Sequence, residues 1–346
     1  MAESERAVEG AEAFRAVRAS EGMFDDEVVY VSTQRCRVRA EGGRITVTPW
    51  GEKEALASFP AEKVKTVNVF GSVSVASSVL TRCQEKGMVV NYFTYYGRYK
   101  GSFVPVHNTI AEVRRRQYGC TGARALRIAR AMIKAKIRNS RTLLSRKHVT
   151  PPGRMKELEE GVGGARTMGA LRSVEGEAAA LYFACLDECL IEGWSFQKRT
   201  RRPPEDHINA LLSLTYTMVT NEVISALRQY NLDPFLGVMH TDRHGRPALA
   251  LDLLEEFRPI FCDAFALRLV NLRVLSHEDF KEDNHLKDSA FKVYLAQYDA
   301  YMKEEFRHPV FKYRVSRRRA IIMQAILLRK AMTGEMKRYH PLVFTR

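Results

Sequence analysis

The sequence predicts an α+β protein, with a mainly β N-terminal domain followed by a larger all-α domain. Three observations carry this reading. From Glu27 onward, short β-branched runs alternate with a period of two. After His107 the texture changes to long segments with apolar residues at helical spacing. Strands first and helices afterwards describe segregated parts, not alternating βα units. The 346 residues suit two domains, since single domains usually run to about 100–200 residues.

Residues 1–26 are acidic, alanine-rich and poor in large apolar groups, and read as a flexible leader. Residues 27–107 form the β-rich domain, with strands expected at 28–31, 38–39, 45–48, 64–70, 88–93 and 102–106. Gly42 and Gly43 sit where a tight hairpin needs positive φ. Residues 77–86, stopped by Gly87, read as one interrupting helix. Residues 108–346 form the helical domain. Its first segment, 110–147, has a break near 118–122, and Leu126, Ile133 and Ile137 alternate there with Arg127, Arg130, Lys134, Lys136 and Arg141, so one face packs and the other is cationic. Residues 151–164 suit a loop or short helical hairpin, and further helices are expected at 167–192, 206–230, 250–274 and 292–330.

The formal net charge of +15 and pI near 9.6 attract polyanions, which puts nucleic acid first among partners, with a merely basic surface as the bland alternative. No apolar run reaches the roughly 20 residues a bilayer requires, and the start of the chain lacks the apolar core of a secretory signal. A cytoplasmic protein with no membrane partner is expected. The six cysteines show no two-residue spacing and read as reduced, mostly buried thiols, with Cys185 and Cys189 on one helix face. Neither a phosphate-cradling glycine loop nor a G-x-S-x-G elbow is present, so nucleotide-driven and serine-hydrolase chemistry find no support.

Three segments of the helical domain supply groups for metal or acid–base chemistry. In the first, Arg172 to Gly176, Glu175 sits among small residues that would let a phosphate or metal approach; otherwise it is an ordinary helix glutamate. In the second, an apolar run after Asp233-Pro234 delivers His240 into a polar stretch, either as a ligand or as a satisfied structural histidine. In the third, Asp252 and Glu255 are three apart and share one helix face before Pro259; the plain reading there is an amphipathic helix with solvated acids. Two carboxylates and an imidazole suit Mg²⁺ or Mn²⁺, and phosphodiester chemistry gives such a set a purpose in so basic a protein.

These segments resemble the CRISPR-associated endonuclease/integrase family, the universal Cas-one family. It carries a glutamate in R-x-x-E-G (here Arg172 to Gly176), a histidine after G-x-x-H (Gly237 to His240), and an acidic helix ending E-F-R-P (Asp252 to Pro259). Arg202-Pro203-Pro204 to Asp206, Asn209 to Ser213 with Tyr216, and residues 97–104 also look like the family's pattern. The resemblance implies a metal site of Glu175, His240 and Glu255, with Asp252 close by and Glu256 adjacent to the third ligand. It implies insertion of short DNA fragments as new spacers by attack of a 3′-hydroxyl, with cleavage of branched DNA as the reverse reaction. It also implies a homodimer formed through the β domain, assembled with the small protein Cas-two as a heterohexamer on double-stranded DNA. Arg114, Arg115, Arg172, Arg199, Arg202 and Arg243, with Arg116, Lys198 and Arg201, are DNA-binding candidates because they lie in or beside the motifs; Arg317, Arg318 and Arg319 are a second candidate surface. The alternatives are an architectural DNA-binding protein and a purely hydrolytic metal-dependent nuclease.

Overall fold

The computed structural model describes residues 27–95, 97, 99–105, 111–201, 203–241, 243–309 and 311–344, so the leader at 1–26 and Arg202 lie outside the described residues. The architecture is α+β, mainly strands up to residue 103 and mainly helices after it. Two compact units are present. One holds the described β-rich residues together with Lys292–Asp299; the other holds the described residues of 110–291 and 300–346.

The β-rich unit contains β1 (Glu27–Val31), β2 (Cys36–Glu41), β3 (Arg44–Pro49), β4 (Ala57–Pro60), β5 (Val64–Phe70), β6 (Val73–Val75), α1 (Ser77–Lys86), β7 (Val89–Phe93) and β8 (Tyr99–Phe103). One sheet has the order β1-β5-β7-β8, parallel except for β8, and the other β4-β3-β2-β6. In β2 the buried Cys36 and Val38 alternate with exposed Arg37 and Arg39, which is why a period of two was visible in the sequence. Gly42 and Gly43, at φ 56° and 75°, close the β2–β3 hairpin in the left-handed region that favours glycine. Val29, Val38, Ile45, Val67 and Val90 join Val79 and Cys83 of α1 in one core. The strands β4 and β6, four and three residues long, are too short for alternation to reveal them.

The helical unit is built from α2 (Ala111–Tyr118), α3 (Gly122–Arg146), α4 (Gly153–Gly161), α5 (Met168–Ala184), α6 (His207–Gln229), α7 (Ala248–Leu254) and α8 (Ala264–Asn271). Beyond these come α9 (Asp288–Lys303), part of which belongs to the β-rich unit, then β9 (Glu305–Arg307), β10 (Arg314–Ser316) and α10 (Arg317–Thr333). By length and composition α6 could cross a membrane, yet Leu211, Leu212, Val219, Val223 and Leu227 are fully buried, as in a central core helix.

Three expected helices are interrupted. The helix expected at 292–330 is two helices separated by the β9–β10 hairpin; Pro309 cannot donate a helical hydrogen bond and drives His308 towards extended backbone. The helix expected at 250–274 is split by a wide turn at Arg258–Asp263 that accommodates Pro259. The helix expected at 167–192 stops at Ala184, so Cys185 and Cys189 do not share a helix face: Cys185 caps α5 and Cys189 ends a separate short turn. All six cysteines are free and five are buried, as expected.

Candidate active site

Glu175 is carried by α5, whose start is fixed by Thr167 accepting a hydrogen bond from the Ala170 N–H at 3.1 Å. A Cβ placed on the neighbouring Gly176 would meet nothing within 4 Å, so the helix surface beside Glu175 is open.

His240 is carried by the loop after α6. Gln117 of α2 pins the start of this loop, accepting from the Asp233 N–H and donating to the Asp233 carbonyl, each at 2.8 Å. Asp252 of α7 holds its end. The carboxylate is fully buried and accepts the backbone N–H groups of Val238, Met239 and His240 at 2.6, 3.0 and 2.9 Å. It also accepts His240 Nδ1–H at 2.6 Å, which fixes the ring with Nε2 turned towards Glu255.

The loop lies so close to α7 that a Cβ at Gly237 would sit 2.8 Å from both the Ala248 Cβ and the Asp252 Oδ2. That contact explains the glycine in the G-x-x-H motif. Gly237→Ala is expected to cost about 1–3 kcal/mol by overpacking and to displace His240; a thermal melt at wild-type stability would count against this account.

Asp252 and Glu255 share a helix face, but that face is buried, which corrects the expectation of solvated acids. The Glu255 side chain is 4% exposed; its Oε2 lies 2.7 Å from Lys136 Nζ and 3.2 Å from Arg258 Nε, and its Oε1 lies 3.8 Å from His240 Nε2. The Lys136 ammonium also pairs with Glu175, so it bridges the two carboxylates. Burial opposes ionisation of Glu255, but Arg258, Lys136 and His240 outweigh it and bring its pKa down to about 2. The three motif segments therefore converge.

Glu256 turns away from this cluster. Its Oε1 accepts from Gln324 Nε2 at 3.0 Å and the Tyr339 hydroxyl at 2.8 Å, and its Oε2 accepts from the Leu342 N–H at 3.1 Å. It anchors the C-terminal segment and belongs to the packing, whereas Glu255 faces the candidate ligands. Burial pushes the Glu256 pKa up to about 8, against those three donors. A raised folded-state pKa means that this group's contribution is fully present below the unfolded value near 4.5 and is lost as pH rises through about 8. Glu256→Gln, whose amide would face the Leu342 N–H or the other two donors, is expected to cost roughly 1–3 kcal/mol at pH 5. Its deficit against the wild type should narrow towards pH 9 in chemical denaturation, and a deficit that widens would refute the assignment.

Beside the cluster, Asp263 accepts hydrogen bonds from the hydroxyls of Tyr216 and Tyr182 at 2.7 and 2.8 Å. Burial raises its pKa to about 6, in opposition to the two tyrosines, Arg199 and Arg258. The Arg258 guanidinium lies 4.8 Å from the centre of the Tyr216 ring. Sequence reasoning missed Lys136, Tyr182, Asp263 and Gln117 as contributors, and named Arg258 and Tyr216 only as motif members without a role. For Lys136 the only signal was its membership of a cationic helix face.

The DNA-binding candidates divide by their contacts. Arg114, Arg115 and Arg243 are exposed, and Arg172 is exposed while one of its nitrogens donates to the Met239 carbonyl beside His240. Arg199 is turned inward, donating to the Thr200 carbonyl, Asn209 Oδ1 and Ser213 Oγ. Arg202 lies outside the described residues. Arg317 pairs with Glu304 and the buried Arg318 with Glu222, so those two charges are already engaged within the fold.

Among the described residues, no group of three His, Cys, Asp or Glu side chains is drawn closely enough together to chelate an ion as it stands. Lys136 occupies the space between the two carboxylates. The donor set nonetheless fits a divalent ion: Glu175 and Glu255 supply hard oxygens, and His240, held by Asp252 through Nδ1, turns Nε2 towards Glu255 as the nitrogen that would serve as a ligand.

A family profile described as CRISPR associated protein Cas1 matches residues 29–311. The chain is 53% identical over 345 residues to "CRISPR-associated endonuclease Cas1 4" of Methanospirillum hungatei, covering 99% of each chain. It is 34% identical over 319 residues to "CRISPR-associated endonuclease Cas1 3" of Thermus thermophilus, covering 91% of this chain and 96% of that one. Among solved structures, a CAS1 protein from Thermotoga maritima superposes with a TM-score of 0.77 at 25% identity, covering 92% of this chain and 99% of that one. With a matching profile over most of its length and a 53% identical relative spanning it end to end, the chain belongs to the CRISPR-associated Cas1 family.

Proposed function

We propose that this protein is a metal-dependent DNA integrase and endonuclease of CRISPR adaptation. In this reading it joins the 3′-hydroxyl of a short DNA fragment to a phosphodiester at the edge of a repeat, and cleaves branched DNA in the reverse sense. The observation that supports it best is the convergence of Glu175, His240 and Glu255 from three separate segments, with His240 oriented by a fully buried carboxylate.

Glu175, His240 and Glu255 would hold Mg²⁺ or Mn²⁺, which supplies charge stabilisation at the scissile phosphate and lowers the pKa of the attacking hydroxyl. Asp252 keeps the imidazole in the tautomer whose Nε2 faces that ion. Arg258 stays beside Glu255, held on Tyr216, and offers a guanidinium to a phosphate oxygen. Arg172, which donates to the Met239 carbonyl, and the exposed Arg243, three residues after His240, would guide the DNA backbone, with Arg114 and Arg115 as further contacts. A homodimer joined by the small Cas-two protein in a heterohexamer is part of the same proposal.

The test mixes the protein and its small partner with a labelled duplex bearing free 3′-hydroxyls and a supercoiled plasmid carrying a repeat. Label should join the plasmid only with Mn²⁺ or Mg²⁺, free 3′ ends and intact His240. Nicking without joining would favour a hydrolytic nuclease. Binding with neither joining nor cutting would favour an architectural role.

A further inference from the structure

The geometry points to Lys136 as the residue that makes metal binding depend on DNA: its ammonium serves as an internal counter-cation that a divalent ion must displace and that an arriving phosphate then receives. This rests on the reading of Glu175, His240 and Glu255 as metal ligands.

Lys136 projects from the middle of α3 between the buried Ala135 and Ile137, and its side chain is only 13% exposed. It contacts Glu175 and Glu255, while Glu255 is also paired with Arg258. Two ligand carboxylates therefore already face two cations in a site largely withdrawn from water. A divalent ion entering this arrangement adds two positive charges to a neutralised cluster, and repulsion in a medium of low polarisability opposes it. Either a cation leaves or an anion arrives.

The two cations differ in their freedom to move. The Arg258 side chain is no more exposed than that of Lys136, at 13%, but its planar guanidinium is held over the Tyr216 ring, whose hydroxyl is bound to Asp263. Both line one small cavity with Glu175, Tyr182, Tyr216 and Arg201, but Lys136 carries its charge as a compact ammonium on a flexible four-carbon stem with no ring to hold it. It is the cation that can move. Once displaced, its ammonium stands beside the ligands with no carboxylate partner, which is where a phosphate diester would meet it. Metal and DNA each supply what the other's entry requires, so each should raise the affinity of the other by the same factor.

The experiment measures Mn²⁺ binding by the electron paramagnetic resonance of free Mn²⁺, using the full-length protein with and without a duplex whose 3′ ends are blocked. Wild-type protein should bind Mn²⁺ weakly alone and more tightly with the duplex. Lys136→Met should bind Mn²⁺ at least tenfold more tightly than wild type without DNA, and the duplex should add little. Lys136→Arg keeps the charge and should remain weak; it also provides a reading if the methionine variant does not fold. A Lys136→Met protein that binds no tighter than wild type, or a Lys136→Arg protein that binds as tightly as expected for methionine, overturns the inference. His240→Ala separates the two levels. If it abolishes Mn²⁺ binding while Lys136→Met gains nothing, only the role of Lys136 fails. If wild type binds no Mn²⁺ even with DNA, the ligand set itself is wrong.

Discussion

Replacing Glu255 with glutamine should reduce strand joining by on the order of 10²–10³-fold or more, while duplex binding is retained or slightly strengthened. The amide is nearly the size of the carboxylate but cannot serve as an anionic oxygen ligand, and it releases Lys136 and Arg258 from an ion pair at 2.7 and 3.2 Å. Removing a negative charge from this cationic surround should not weaken attraction to phosphate. Glu256→Gln, one residue along, should keep wild-type joining per folded molecule, because Glu256 contacts Gln324, Tyr339 and the Leu342 N–H and not the ligand cluster. The measurement is a single-turnover joining assay beside a gel-shift titration for both variants. Equal loss of joining in the two variants would mean that Glu255 acts only through folding. Undiminished joining by Glu255→Gln would remove it from the reaction altogether.

The contrast between these adjacent glutamates marks how far the sequence could be read. The β-branched alternation of β2 and β3 and the extent of α6 were visible because each is a local pattern. The motif segments around Glu175, His240 and Asp252 were visible as well. What those segments meet was not. Lys136 lies 39 positions before Glu175 and reads as one cation among many on a helix face. The Tyr182–Asp263–Tyr216 contacts join residues 47 and 81 positions apart. The break of the last expected helix into α9, the β9–β10 hairpin and α10 was hidden because its flanks keep helical spacing and only Pro309 signals the interruption. The side on which Glu255 and Glu256 fall was likewise undetermined, since it depends on the wide turn at Arg258–Asp263 and on Tyr339 and Leu342 far along the chain.

Asp252→Asn tests the part of the site that the sequence placed only as close by, and it should be nearly as damaging as loss of a ligand. Each carboxylate oxygen accepts two hydrogen bonds: Oδ2 from Val238 and Met239, and Oδ1 from the His240 backbone and Nδ1. An asparagine has two orientations here, and both fail. With its NH₂ towards Val238 and Met239, donors face donors and the loop loses two buried bonds, at roughly 1–3 kcal/mol for each group left unpaired. With its NH₂ towards His240, the amide donates to Nδ1 and moves the ring proton to Nε2, the atom needed as a ligand. A wrong tautomer or a lost orienting partner typically costs 10-fold to 10⁴-fold in metal affinity or rate. The expected outcome is a folded but less stable protein with weakened Mn²⁺ binding and strongly reduced joining. Nitrogen NMR of labelled histidine would report the tautomer directly, with the wild-type ring protonated on Nδ1. A variant that keeps the Nε2 lone pair and wild-type Mn²⁺ affinity would show that His240 is positioned by the loop alone. The buried carboxylate would then serve the fold and not the reaction.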